Sequence, residues 1–160
     1  MTITDALNDS NRLFVACSNA MFTGSDVIKR IEEKYNTITN LKKKYPNYTE
    51  DFNNKCKLAD FVADNNVGLL ILSEDNSNIT YTHFVVALEA LRSYCEANDI
   101  HGITISLEGI RLYDRIIKYP MVVEDEFKRL VVKTLEIDSK LIYAVESVFY
   151  ATSINVIICS

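Results

Sequence analysis

The stretch that most constrains the fold is Leu13-Phe-Val-Ala-Cys17, which runs through Ser18-Asn-Ala-Met-Phe-Thr-Gly24 into Ser25-Asp-Val-Ile-Lys-Arg-Ile31. A short, unbroken apolar run without alternation is the pattern of a strand covered on both faces, as in a parallel sheet. Val27, Ile28, Ile31 and Tyr35 then recur at the 3, 4, 7 spacing of one helix face. Ser25 or Asp26 stands where a side chain can accept from the first free amides. Such a helix start carries unpaired N–H groups at the positive end of its dipole, so the Gly24 turn is a place where a phosphate or other anion can be held.

The same alternation continues along the chain. Residues 1–4 read as a short edge strand, and 36–66 as one or two helices anchored by Ile38, Leu41, Tyr45, Phe52, Leu58, Phe61 and Val62. Val67-Gly-Leu-Leu-Ile-Leu72 reads as a second buried strand. Phe84, Ala87, Leu88, Leu91, Tyr94 and Cys95 predict an amphipathic helix from Thr80 or Thr82 to about Asn98. Ile103–Leu107 predicts a third strand. Beyond Pro120, the positions Val123, Phe127, Leu130, Val131, Thr134 and Leu135 predict a helix. Leu141–Val145 predicts a fourth strand, and 153–159 one more. Strands alternating with helices imply a single α/β domain over 1–160, a three-layer αβα arrangement with a mixed, largely parallel sheet and right-handed crossovers. Ligands in such folds bind beyond the C-terminal strand ends, here Ser18–Gly24, Ser73–Asn78 and Leu107–Asp114.

Composition narrows the function classes. Seventeen Lys and Arg against 22 Asp and Glu leave a net charge of -5, which argues against general nucleic-acid binding. The local exception, Lys42-Lys-Lys-Tyr-Pro-Asn-Tyr48, reads as a solvated helix end stopped by Pro46. No apolar run approaches the roughly 20 residues that span a bilayer, so no membrane association is expected. The first ten residues have acids and no basic region, and the four dispersed cysteines read as reduced core residues, which together predict a cytoplasmic or nuclear location. His83 and His101 are not spaced as ligands, so neither a metal nor any other cofactor is expected, and His83 reads as a solvated residue near a helix start. Only Gly24, Gly68, Gly102 and Gly109 are available to any phosphate loop. The aromatic segment Val148-Phe-Tyr150 and the apolar strand at 153–159 predict an exposed surface that a protein partner covers.

The order of these elements resembles the macrodomain family. The residues that carry the resemblance are the Asn-containing turn before Gly24 and Val27, then Tyr81-Thr-His-Phe-Val-Val-Ala-Leu-Glu-Ala-Leu-Arg-Ser-Tyr-Cys95, Gly102-Ile-Thr-Ile-Ser-Leu107 and Tyr113-Asp-Arg115. Within that family the chain is most similar to the compact branch that removes ADP-ribose from terminal glutamate. The resemblance implies that Gly24 and Ser25 approach a diphosphate, that Ser18 and Asn19 border the distal ribose, and that the 107–114 loop closes over the phosphates. Asp114 matches the acid that, in that branch, helps resolve a sugar–lysine intermediate.

The departures bear on activity. Asp26 replaces a second glycine, and Leu72-Ser-Glu-Asp75 stands where the nucleophilic lysine is expected, so no Schiff base can form there. Leu107-Glu-Gly-Ile-Arg-Leu-Tyr113 substitutes bulk and charge for the second phosphate loop, with Arg111 left to supply positive charge. The expectation is a divergent, non-catalytic module acting in protein interaction or assembly with a degenerate cleft. The alternatives are a reader of ADP-ribose or a related nucleotide, and a weak ADP-ribosyl hydrolase using Asp114 or Asn19 with water.

Overall fold

The computed structural model describes residues 2–75, 79–110, 120–124, 127, 130–134 and 137–159. The chain starts with a helix, α1 (Ile3–Asn8), and not with the expected edge strand. Thr2 caps it, its hydroxyl accepting from the Asp5 amide at 3.1 Å, and Ile3, Ala6 and Leu7 bury one face. There follow β1 (Leu13–Ser18), α2 (Asp26–Tyr35), α3 (Thr37–Lys44), α4 (Tyr48–Asn54), β2 (Asp60–Asp64), β3 (Val67–Ile71), α5 (Tyr81–Ala97), β4 (Gly102–Ser106), β5 (Pro120–Glu124), β6 (Leu130–Thr134), α6 (Ile137–Phe149) and β7 (Asn155–Cys159).

Five strands form one sheet in the order β2-β3-β1-β4-β7. β1 pairs parallel with both β3 and β4, and β4 pairs parallel with β7. β2 is antiparallel to β3 across a tight turn at Asn65, which takes a positive φ of 52°. Leu13, Val15 and Cys17 face a core built with α5 and α6, whereas Phe14 and Ala16 face a second core built with α1 to α4. Helices on both faces of a mixed sheet give the three-layer α/β fold expected from the strand and helix alternation. Arg12 ties the last strand to the sheet, donating to the carbonyls of Ile103 at 2.6 Å and Asn155 at 2.9 Å.

Three further assignments change. Residues 60–64 are a strand, although the polar run around them reads as helix. The segment expected as a helix beyond Pro120 holds two antiparallel strands in register from Pro120↔Thr134 to Glu124↔Leu130. Its paired valines, β-branched and stiff, favour the extended form over the helical spacing they share with Phe127. The expected strand at Leu141–Val145 lies inside α6, where Leu141, Ala144, Val145, Val148 and Phe149 make one buried helical face. A short apolar run fits either period, and here the longer one wins. Val148 and Phe149 are therefore core residues, and only Tyr150 of that aromatic segment is exposed.

The cysteines follow the sequence reading in three cases: Cys17, Cys95 and Cys159 are buried free thiols, and Cys56 is exposed. Among the described residues no helix is long and apolar enough to cross a membrane.

Two local devices generate predictions. A Cβ on Gly68 would sit 2.2 Å from the Phe61 ring of the neighbouring strand, which is itself packed against Tyr94. Gly68→Ala is expected to cost about 1–3 kcal/mol in urea unfolding, with the double variant Phe61→Ala/Gly68→Ala less destabilised than the sum of its parts. The second device is Glu32, whose carboxylate caps α3 by accepting from the amides of Ile38 at 2.6 Å and Thr39 at 3.1 Å and from the Thr39 hydroxyl at 2.5 Å. Partial desolvation pushes its pKa up, but the Thr39 and Ile38 hydrogen bonds outweigh this and hold it below the ordinary value. Its contribution is thus fully present above the usual carboxyl range and is lost as pH falls through that range. Glu32→Gln is expected to lower stability by about 1 kcal/mol at neutral pH, with the difference from wild type shrinking towards pH 3 in unfolding curves.

Candidate functional site

The C-terminal ends of β1, β3 and β4 bring three segments together: 19–25, 72–75 and 107–110. The first is held from within. Asn19, 1% exposed, accepts through Oδ1 from the amides of Met21 at 2.9 Å and Thr23 at 3.2 Å, and donates through Nδ2 to Thr23 Oγ1 at 2.7 Å. Ser18 donates to the Thr23 carbonyl at 2.8 Å. These bonds fold the loop back so that Phe22 takes φ 58°, a conformation that a bulky residue rarely adopts, with its buried ring 5.1 Å from the Tyr48 ring.

Neighbouring elements fix the loop from outside. Thr49 donates to the Ala20 carbonyl at 2.9 Å, and the Ala20 amide donates to the Ser73 carbonyl at 2.9 Å. The segment after β1 is thereby locked to α4 and to the end of β3.

Gly24 and Gly109 decide how closely the walls approach. A Cβ on Gly24 would lie 3.2 Å from both the Cys17 carbonyl oxygen and Ile28 Cγ1. Gly109 has φ +82°, and a Cβ there would lie 2.9 Å from Ser25 Cβ, so the loop after β4 rests directly on the start of α2. Ser25 occupies the N-cap position but its side chain makes no capping bond, leaving the first-turn amides of Asp26 and Val27 without an intrahelical acceptor.

Between these walls lies a cavity of about 250 Å3, lined by Cys17, Ser18, Gly24, Ser25, Leu72, Ile79, Glu108, Gly109 and Ile110. Among these residues Glu108 is the single charged one and none is basic. Cys17 is no nucleophile: burial pushes its thiol far above the ordinary range, and it donates weakly to the Ser106 carbonyl. Leu72, fully buried, forms the wall at the end of β3, followed by Ser73, so no amine is present where the resemblance calls for a lysine. Among the described residues no group of His, Cys, Asp and Glu could hold a metal ion.

Of the residues singled out in the sequence, Ser18, Gly24 and Ser25 line one cavity. Asn19 is adjacent to it, with its side chain directed into its own loop. Arg111 and Asp114 lie outside the described residues. Glu108, Gly109 and Ile110 belong to the 107–114 loop that the resemblance places over the phosphates, whereas Cys17, Leu72 and Ile79 were not singled out as cavity residues.

His83 is a cap and not a solvated side chain, its Nδ1 accepting from the Thr80 amide at 2.8 Å while its own amide donates to Thr80 Oγ1 at 3.3 Å. In the Lys42–Tyr48 segment the three lysines are exposed, but Tyr48 is buried and donates to Asp60 at 2.6 Å, so only Tyr45 remains as a stacking surface.

No family model matches the chain, and no curated protein sequence matches it. Solved structures do. The macrodomain of Thermus aquaticus DarG superposes with a TM-score of 0.56 at 8% identity, over 96% of this chain and 93% of that one. The macrodomain of Mycobacterium tuberculosis DarG gives 0.55 at 9% identity, over 97% and 92%. At such identities the likeness establishes the architecture, and the fold is that of a macrodomain.

Asn19→Ala removes three partly buried hydrogen bonds that hold the 19–25 loop. It is expected to lower unfolding stability by about 2–3 kcal/mol and to speed hydrogen exchange at the Met21 and Thr23 amides. Unchanged exchange there would show that the loop is held by other contacts.

Proposed function

We propose that the chain is a non-catalytic binding module of macrodomain architecture, whose cavity takes ADP-ribose or a related ligand. The observation that carries this reading is the cavity at the C-terminal strand ends, where Ser18, Gly24 and Ser25 converge on Glu108, Gly109 and Ile110. Open α/β sheets bind their ligands at that edge. At about 250 Å3 the cavity falls just under the usual 300–1,000 Å3 of small-molecule sites, so it encloses one sugar or base unit while the rest of a larger ligand lies outside.

The non-catalytic part of this proposal is supported by the chemistry of the described walls. Leu72 and Ser73 stand at the position of the expected lysine, the Cys17 thiol stays protonated, and the polar atoms of Asn19 are committed to its own loop. In this reading the macrodomain architecture carries over together with the ligand class, and the reaction does not.

A second reading, a protein-interaction or assembly module, is favoured by β7. This strand, Asn155-Val-Ile-Ile-Cys159, is uncharged, closes one edge of the five-stranded sheet and leaves Ile158 37% exposed. Light scattering separates the readings, since a monodisperse monomer speaks against assembly through β7.

Titration calorimetry with ADP-ribose tests the binding reading. Wild type is expected to bind with a Kd at or below about 1 mM. Gly109→Val, which forces a side chain onto Ser25, is expected to weaken binding by about tenfold or more. No heat at millimolar ADP-ribose, or equal binding by the variant, would overturn it.

A further inference from the structure

We infer that the cavity selects an uncharged ribose-bearing ligand, a nucleoside, over a nucleotide diphosphate, and that Glu108 sets this preference. The inference rests on the reading of the cavity as a nucleotide-type site and specifies its ligand further. The charge balance comes first. The start of α2 presents the equivalent of about +0.5 elementary charge. Against it stands Glu108 in the cavity wall; Asp26, beside Ser25, does not line the cavity and is 83% exposed. Lys29 lies 4.0 Å from Asp26, but both groups are in solvent, where such a pair is largely screened. Among the described lining residues none is basic, so the one full charge they turn towards an incoming anion is the Glu108 carboxylate.

The polar groups also suit hydroxyls better than phosphate. At neutral pH the non-bridging oxygens of a diphosphate are acceptors, and a carboxylate is an acceptor only, so Glu108 has nothing to offer one. A vicinal diol brings two O–H donors, which match the two oxygens of a carboxylate, the same pairing by which an acidic side chain holds ribose hydroxyls in dinucleotide sites. Ser25, whose hydroxyl makes no capping bond, can both donate and accept across the cavity from it. The apolar surface of Cys17, Leu72, Ile79 and Ile110 then covers the flat face of a sugar or base.

The experiment is a calorimetric titration of wild type, Glu108→Gln and Glu108→Lys with adenosine, 2′-deoxyadenosine, ADP and ADP-ribose. Glu108 is exposed, so the variants are expected to melt with wild type, which circular dichroism checks. In wild type, adenosine is expected to bind more tightly than ADP, and 2′-deoxyadenosine about tenfold more weakly than adenosine. Glu108→Gln should weaken adenosine binding, and Glu108→Lys should reverse the preference by tightening ADP about tenfold or more. Tighter binding of ADP than of adenosine by wild type, equal binding of adenosine and its 2′-deoxy form, or no change in ADP binding by Glu108→Lys would each overturn the selectivity alone. Failure of all four compounds to bind wild type would overturn the nucleotide-site reading itself, and the selectivity with it.

Discussion

The structure depends on the burial of β1. All six of its residues are buried, with Leu13, Val15 and Cys17 turned towards one core and Phe14 and Ala16 towards the other. A strand covered on both faces needs helices above and below it, and parallel neighbours on both sides need crossover connections to supply them. Because β1, β3 and β4 run in the same direction, their C-terminal ends open at one edge. Desolvation of one strand thus fixes the location of the cavity before any residue of the cavity is considered.

Holding the first loop in shape consumes most of its polar chemistry. Asn19 spends both its acceptor and a donor on Met21 and Thr23, and the Ser18 hydroxyl donates to the Thr23 carbonyl. A buried amide must be satisfied, and satisfying it locally removes it from the set of groups that can meet a ligand. The preorganisation that keeps Phe22 at a positive φ and Gly24 against β1 is therefore the same feature that leaves the cavity with few polar contacts. What remains facing the cavity comes mainly from Ser25 and from the second loop.

The two central strands were legible from the polar turn residues that bound them, Asn11 and Ser18-Asn19 around one and Asn65-Asn66 and Ser73 around the other, and the stretch from Phe84 to Cys95 is long enough to show its helical stripe. Leu141–Val145 failed because five apolar residues do not distinguish a buried strand from the inner face of a helix, and the flanking Val148 and Phe149 were needed to decide. β2 was hidden because Asp60 and Asp64 bracket three apolar residues, a composition that looks like loop until pairing with β3 supplies the partner. In the cavity, Gly24 was legible from its place before a helix and Gly109 from the loop after a strand end, whereas Leu72 and Ile79 meet them only through tertiary packing. The role of Asn19 could not be read from residue type at all, since a ligand contact and an internal staple use the same amide.

Architecture and site chemistry rest on different interactions in this chain. The fold is held by apolar burial spread over two cores. The cavity depends instead on a few close approaches and on the sign of a few charges. Gly24 and Gly109 preserve the approaches, keeping the loop after β4 in contact with the helix start. Glu108 sets the sign of the described wall, because a helix start worth about half a charge does not offset a full carboxylate. Under the selectivity inferred above, such a wall admits a hydroxyl-rich neutral molecule sooner than a diphosphate.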